Sequence, residues 1–236
     1  KQLFGAYHYY ACDPFHENEP TVKTQDYLWK VGRVIDTMYQ EFDPDSVWVM
    51  QSWSLREKIV KAVPKGRLLI LDIDGTKHSI NEEFWGHDFV LGNIHSFGDR
   101  NTLHGSIKAV ADNQYHIANV ENCVGTGLFP EGIFQNPLYY DLSYKMLTEA
   151  EPADLNSWLE NYAERRYGSD EACLKEAVKM LYKACYNENC TGRETGSMIA
   201  ARPGTESDHT APNDHRELRY DNKDLLKAVQ LLLKAE

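Results

Sequence analysis

Positive charge is scarce in this sequence: 25 lysines and arginines face 36 aspartates and glutamates, a net charge of −11 over 236 residues. That acid surplus repels phosphate backbones and anionic lipid surfaces, so neither nucleic acid nor membrane is expected as a partner. Long apolar runs are missing as well; no stretch approaches the ~18 consecutive apolar residues of a membrane-spanning helix. The five cysteines, at 12, 123, 173, 185 and 190, include no C-x-x-C pair, and an odd number cannot close completely into internal disulfides. A zinc ribbon or a disulfide scaffold is therefore not expected. Cys185 and Cys190 are near enough in sequence to bridge in an oxidising compartment, two ordinary thiols being the alternative. There is no internal repeat and no low-complexity tract. The chain opens on Lys1 without a methionine or an apolar leader, and is expected to be a piece of a longer protein.

What is present is a globular composition, 42% hydrophobic and 26% charged, in a chain long enough to bury about 70% of its unfolded surface. Up to about residue 150 the texture alternates. Five β-rich runs, Leu3 to Ala11, Val47 to Trp53, Leu68 to Ile73, Asp88 to His95 and Ala118 to Val124, are each followed by a polar or helix-compatible stretch. Several are continuously apolar, as strands covered on both faces are. The first connection predicts a helix from Thr24 to Phe42, with Tyr27, Leu28, Val31, Val34, Ile35 and Met38 on one stripe. Shorter crossovers are expected at 55–63, 81–85 and 103–111. Strand–helix–strand order implies a parallel sheet, hence an α/β fold.

Composition changes at Glu149-Ala150-Glu151-Pro152, which sets an expected boundary between an α/β region, residues 1–150, and an all-α region, residues 151–236. Asp154 to Tyr167 reads as a helix stopped by Gly168, with Ser169 capping a second whose apolar face is Leu174, Ala177, Val178, Leu181, Tyr182 and Cys185. A third begins near Asn222 and is expected to bury Leu225, Leu226, Val229, Leu232 and Leu233. The polar stretch 187–221, with Pro203 and Pro212, reads as a functional or disordered loop.

Catalytic groups of parallel sheets and barrels collect at the carboxyl ends of strands. Asp13-Pro14-Phe15-His16-Glu17 follows the first run and Phe129-Pro130-Glu131-Gly132 follows the fifth. In an eight-stranded barrel those two runs lie on opposite walls, so Glu17 and Glu131 would face each other, and two carboxylates flanking a sugar are the working parts of a glycosidase. Solvated loop glutamates are the bland alternative. Trp53, ending the second run beside Gln51, is a candidate platform for a sugar ring, with core packing as its alternative; His95, ending the fourth, is a candidate polar contact or a satisfied structural histidine.

Leu71-Asp72-Ile73-Asp74-Gly75-Thr76 resembles the nucleophile loop of haloacid-dehalogenase-like phosphatases, in which Asp72 would attack a phosphoryl group and Asp74 act as general acid. Two strand units precede it, where that loop normally opens its domain. No metal or other cofactor is expected: the nine histidines form no His-x-His and no His-Glu-x-x-His, and His8, Asp13 and His16 around the first strand match no defensible metal spacing.

The segments Asp13 to Glu17, Val47-Trp48-Val49-Met50-Gln51-Ser52-Trp53, Asn93 to Gly98, and above all Val124-Gly125-Thr126-Gly127-Leu128-Phe129-Pro130-Glu131-Gly132-Ile133-Phe134-Gln135-Asn136 resemble the α-N-acetylglucosaminidases of glycoside hydrolase family 89. The similarity continues through Arg165-Arg166-Tyr167-Gly168 and Arg202-Pro203 to the last helix. It implies a retaining exo-hydrolase that removes terminal α-linked N-acetylglucosamine, lysosomal or, if bacterial, secreted or periplasmic. It also implies that the chain holds the second half of a (β/α)₈ barrel, about five strands, and the beginning of a helical domain. By matching motif, Glu17 would be the general acid/base and Glu131 the nucleophile, with Asp13, Trp53 and His95 near the substrate. Ile73-Asp74-Gly75-Thr76 departs from the family pattern, which usually carries a bulkier apolar residue and a glutamate there. The remaining strands would come from an upstream part of the barrel or from self-association. A non-catalytic sugar-binding fragment is the alternative outside enzymes.

Overall fold

In the computed structural model the described residues are 5, 7–95, 103, 105–117, 120–132, 136–145, 154–188 and 221–235. They form two compact units, residues 1–94 with 117–129, and residues 95–116 with 130–236. The first is a five-stranded parallel sheet in the order β1-β2-β3-β4-β5: β1 Tyr9–Ala11, β2 Val47–Gln51, β3 Leu68–Asp72, β4 Asp88–Leu91 and β5 Cys123–Thr126. Consecutive parallel neighbours joined by helical crossovers are the partial barrel expected from the alternation. The strands differ in extent from the apolar runs. Val47 to Trp53 is cut at Gln51 because Ser52–Ser54 turns into a 3₁₀ helix, Asp88 to His95 stops at Leu91, and the fifth run moves to 123–126, behind a helix that lasts to Ile117. Residues 3, 4 and 6 of the first run, residues 189–220 of the expected 187–221 loop, with Cys190, Arg202 and Pro203, and residues 96–98 and 133–135 of the family-like segments lie outside the described residues.

Helix α1, Gln25–Phe42, begins where Thr24 Oγ1 accepts the Tyr27 N–H at 3.3 Å, an N-cap that satisfies one orphan amide. It packs on α2, Glu57–Ala62, through Gly32, where a Cβ would lie 2.5 Å from the Ile59 carbonyl oxygen. The expected stripe is corrected on one side: Leu28 is buried, but Val34 and Met38 are 66% and 52% exposed, and Asp36 is buried instead. Asp36 tolerates that place because Arg67 Nη2 and Arg33 Nη1 reach its carboxylate at 2.7 and 3.2 Å. Beneath α1 and α2, alternate strand residues Trp48, Met50, Leu68, Ile70, Phe89 and Leu91 form the core with Ile59, Val60, Phe84 and Ile117. Each such side chain contributes roughly 1.5–3 kcal/mol of burial. The alternating strand residues Val47, Val49, Leu69 and Leu71 are only half-buried, so the second face of the sheet is less covered than the continuous apolar runs imply.

Between α3, Lys77–Ile80, and β4 the chain makes a left-handed turn: Glu82, Glu83, Phe84 and Trp85 have φ of 49–54°, followed by Gly86 at 75°. Phe84, fully buried, anchors it, while Asn122 Nδ2 donates to the Glu83 and His87 carbonyls and the Lys65 ammonium to that of Trp85. Asn81 to Trp85 is thus a strained corner, not a crossover helix.

The second unit is helical: most of α4, Ile107–Ile117, then α5, Pro137–Lys145, α6, Leu155–Tyr167, α7, Ala172–Leu181 with a π-turn at Tyr182–Tyr186, and α8, Asn222–Leu232. Asp154 caps α6 by accepting the Ser157 N–H, and Gly168, at φ 67°, ends it. Ser169 accepts the Glu171 N–H, but α7 starts only at Ala172, with Glu171 as its cap residue. Leu174, Ala177, Val178 and Cys185 are buried as their spacing predicts. In α8 the face is rotated: Ala228 and Leu231 are buried, whereas Leu226, Val229 and Leu233 are exposed. No helix among the described residues is long and apolar enough to cross a membrane.

Candidate active site

The loop after β1 is held by its neighbour strand. Cys12 N–H extends the parallel ladder to the Val49 carbonyl at 3.1 Å, and Asp13 Oδ1 accepts the Gln51 N–H at 2.7 Å, tying the carboxyl ends of β1 and β2 together. Trp48 Nε1 donates to the Cys12 carbonyl at 2.7 Å from beneath. Phe15, with φ 60°, packs its ring 6.5 Å from that of Tyr27 on α1, and His16 Nδ1 lies 2.8 Å from Ser54 Oγ. Asp13 is therefore a scaffold for the turn that presents Glu17, whose side chain is exposed. The tie of His16 to Ser54 and of Asp13 to Gln51 separates both from His8, which sits at the other end of β1.

Trp53 lies in the turn after β2 and is 37% exposed, so its indole is at the surface and not packed in the core. Its Nε1 donates to Asp74 Oδ2 at 3.3 Å, while Asp74 Oδ1 accepts from the Thr76 hydroxyl at 2.9 Å and the Thr76 N–H at 3.3 Å. Asp74 is the partner that the sequence did not reveal; the contact needs the β2–β3 register, in which Gln51 is opposite Leu71.

Asp72 occupies the opposite situation. It is 0% exposed, accepts the Lys77 N–H on both oxygens at 3.1 and 3.2 Å and the His78 N–H at 3.2 Å, with His78 Nδ1 3.4 Å away. Burial pushes its carboxyl up, the amide bonds oppose that shift, and the nearby Asp74 charge adds to it. A carboxylate closed to solvent and committed to the start of α3 cannot attack a phosphoryl group, so the Asp72/Asp74 phosphatase reading is corrected to a structural role for Asp72.

Beyond β5 the pairing with the end of β4 continues irregularly: Gly127 N–H donates to Leu91 O at 2.9 Å, Asn93 N–H to Gly127 O at 3.1 Å, and Phe129 N–H to Asn93 O at 3.0 Å. Gly92 is needed there, since a Cβ would lie 2.1 Å from the Asp72 carbonyl oxygen. Pro130 and Glu131, both exposed, follow directly. Glu131 and His95 belong to the second unit, Asp13, Glu17 and Trp53 to the first. His95 is buried within its unit, its backbone N–H donating to Tyr140 Oη at 3.2 Å and its ring centroid 4.3 Å from that of Tyr139. Gly105, at φ 110°, closes on this stack, where a Cβ would stand 3.1 Å from the Tyr139 ring and 3.4 Å from that of His95. Tyr139 and Tyr140 went unnoticed in the sequence because α5 itself did.

Among the described residues one group has the makings of a cation site: His8, Asp43 and Asp45, with ligand atoms within 4.8 Å of one another. It lies at the amino ends of β1 and β2, away from Asp13 and Glu17. Asp43 Oδ2 already accepts the Tyr10 hydroxyl at 2.7 Å and faces His8 Nδ1 at 2.9 Å, while Oδ1 accepts the Asp45 N–H. The arrangement is a hydrogen-bonded knot that steadies the start of the sheet.

Comparison with known proteins extends these observations. Residues 1–149 match the α-N-acetylglucosaminidase TIM-barrel domain family, and residues 158–236 the corresponding C-terminal domain family. The chain is 28% identical over 250 aligned positions to the α-N-acetylglucosaminidase of Homo sapiens, covering 98% of this chain and 33% of the human protein. A family 89 glycoside hydrolase from Clostridium perfringens, solved in complex with PUGNAc, superposes with a TM-score of 0.86 at 27% identity, over 96% of this chain and 26% of that one. Another structure from that organism, a variant with two glutamates changed to glutamine in complex with its substrate GlcNAc-α-1,4-galactose, gives 0.85 at 27% identity and the same coverage. The chain thus spans about a third of the length of the curated relative. With the barrel family matching well over half of its residues, and strand order agreeing with that match, the chain belongs to the α-N-acetylglucosaminidase family of glycoside hydrolases.

Proposed function

We propose that this chain carries the reacting groups of a retaining exo-glycosidase that releases terminal α-linked N-acetylglucosamine from glycans. The observation that carries the reading is family membership combined with two exposed glutamates, Glu17 and Glu131, that follow β1 and β5, the first and last strands of the parallel sheet. The Clostridium perfringens variant bound to its substrate with two glutamates replaced by glutamine supports a requirement for a pair of carboxylates.

In the proposed mechanism Glu17 starts protonated and gives its proton to the departing glycosidic oxygen, while ionised Glu131 attacks the anomeric carbon. The C–O bond to the leaving group breaks as an ester to Glu131 forms. Glu17, now a carboxylate, takes a proton from water, and the resulting hydroxide displaces Glu131 from the anomeric carbon. Both glutamates return to their starting states, so no cofactor enters the balance. Asp13 acts by fixing the Glu17 turn against Gln51, and Trp53 offers an aromatic face to a sugar's C–H surface. His95 orders the Tyr139–Tyr140 stack within the second unit.

A TIM barrel closes with eight strands, and β1 and β5 are the edges of a five-stranded sheet here. The reading therefore includes a partner for those edges, either further polypeptide of the same protein or a second copy. The test is hydrolysis of an aryl α-N-acetylglucosaminide in the presence of EDTA. Glu131→Gln is expected to abolish turnover, and Glu17→Gln to spare mainly substrates with good leaving groups. Full activity of either variant would remove that residue from its role, and ligand retention without turnover by the unaltered chain would favour a sugar-binding fragment.

A further inference from the structure

The general acid gives its proton to the leaving group, so what surrounds the acid's turn surrounds the leaving sugar. Ser54 Oγ lies 2.8 Å from His16 Nδ1, one residue from Glu17, and Trp53 immediately precedes Ser54. The exposed indole of Trp53 is fixed by its 3.3 Å bond to Asp74 Oδ2, and Asp74 is itself fixed through Oδ1 by Thr76. The result is an oriented aromatic face with a carboxylate at its edge. Among the described residues no cationic side chain forms an ion pair with that carboxylate. Asp13, Glu17 and Glu19 come from the loop after β1 and Asp72 from β3, while Arg56 and Lys23 both pair with Glu19, at 3.2 and 3.4 Å. The His78 ring lies 3.4 Å from the Asp72 carboxylate, which also accepts the backbone N–H groups of Lys77 and His78.

We propose that Trp53 and Asp74 form the leaving-group subsite and select an uncharged sugar over an anionic one, an inference that rests on Glu17 being the acid. Trp53 supplies stacking to a ring whose C–H face is apolar. Asp74 is the positioning residue for the indole, accepts a hydroxyl of the leaving sugar with its remaining lone pair, and repels a uronate or a sulfated ring. A neutral hexose satisfies all three features; a uronic acid in the same place sets two carboxylates side by side.

The test is calorimetric binding to the 236-residue chain, in a Glu131→Gln background so that bound ligand persists. Three ligands are compared: methyl α-N-acetylglucosaminide, GlcNAc-α-1,4-galactose and GlcNAc-α-1,4-glucuronate. The galactoside is expected to bind about tenfold more tightly than the glucuronide, a discrimination of the size that one nearby surface charge provides. Asp74→Asn still offers an oxygen to Trp53, while its NH₂ donates to the Thr76 hydroxyl and gives up the bond from the Thr76 N–H, and it is expected to bring the two affinities within about twofold by strengthening the glucuronide. Asp74→Ala, which releases the indole, is expected to weaken the galactoside. Equal affinities in the starting protein, or an unchanged ratio in Asp74→Asn, overturn the selection while binding of the methyl glycoside leaves the glycosidase reading intact. Failure to bind all three ligands overturns both.

Discussion

His87 is a buried histidine that acidification should turn against the fold. It sits between the left-handed corner and β4, 2% exposed, its backbone N–H donating to Phe84 O at 3.1 Å and its carbonyl accepting from Asn122 Nδ2 at 2.6 Å. Burial, reinforced by the Lys65 charge and partly opposed by a bond to the Val60 backbone, lowers the imidazole pKa from 6.5 to about 4. The folded chain therefore holds His87 neutral where the unfolded chain protonates it. Above pH 6.5 both states are neutral and the full stability is present; as pH falls from 6.5 toward 4, unfolding takes up a proton and stability is lost. At 1.36 kcal/mol per unit, the loss reaches roughly 2 kcal/mol at pH 5 and about 3 kcal/mol near pH 4. Urea unfolding followed by tryptophan fluorescence at pH 7.5, 6 and 5 measures it, with His87→Gln subtracting the carboxylates that titrate in the same range. The difference between the two proteins is expected to be flat above pH 7 and to shift toward the variant below 6.5. Parallel pH curves for both would refute the argument.

Three further perturbations test how the frame of the site is held. Asp36→Ala leaves Arg33 and Arg67 without their buried counter-charge and is expected to cost about 2–4 kcal/mol in urea unfolding, whereas replacing an exposed acid such as Asp26 should cost under about 0.5 kcal/mol. Gly92→Ala drives a methyl to within 2.1 Å of the Asp72 carbonyl oxygen and 2.7 Å of the Phe129 ring, so a loss of at least about 2 kcal/mol and a lowered Tm are expected. Glu83→Gly works in the other direction: Glu83 is exposed at φ 51°, and relief of left-handed strain outweighs the added freedom of the unfolded chain by about 1 kcal/mol, read as a rise in Tm.

The parallel sheet was legible because its strands are short apolar runs separated by helix-compatible stretches, and only one layered arrangement accommodates that order. The faces of individual helices were less so. Counting apolar spacing placed Val34 and Met38 of α1 inward, but the buried positions on the face that approaches α2 closely are Gly32 and, one turn on, Asp36 with its two partly exposed arginines. Helix α5 did leave a signal, Asn136-Pro137, a residue that caps followed by one that fits the first helical turn; Asn136 Oδ1 accepts the Tyr139 N–H at 3.4 Å. Nothing in Glu82-Glu83-Phe84-Trp85 announces a left-handed turn, since no glycine or asparagine stands among those four residues. It is imposed from outside, by burial of Phe84 and by Asn122 and Lys65 on its carbonyls. Around the candidate site, the position of Asp13 and Glu17 just after β1 could be read, while the contact between Trp53 and Asp74 could not, because it joins two strands through a register that sequence does not state.

That difference bears on how the site works. Strand β1 has only three residues and gives its loop little support of its own. Glu17 is instead placed by groups of β2 and the turn beyond it: Gln51 holds Asp13, Ser54 faces His16, and the Trp48 indole holds the Cys12 carbonyl. The same turn carries Trp53, and its Ser52 Oγ accepts the Ile73 N–H at 3.3 Å, coupling it to β3 and so to Asp74. The end of β2 is therefore the part on which both the proposed acid and the proposed leaving-group subsite depend. A proton donor and the sugar that receives its proton need a fixed mutual geometry, and mounting both on one strand end supplies it without demanding rigidity of the exposed loop.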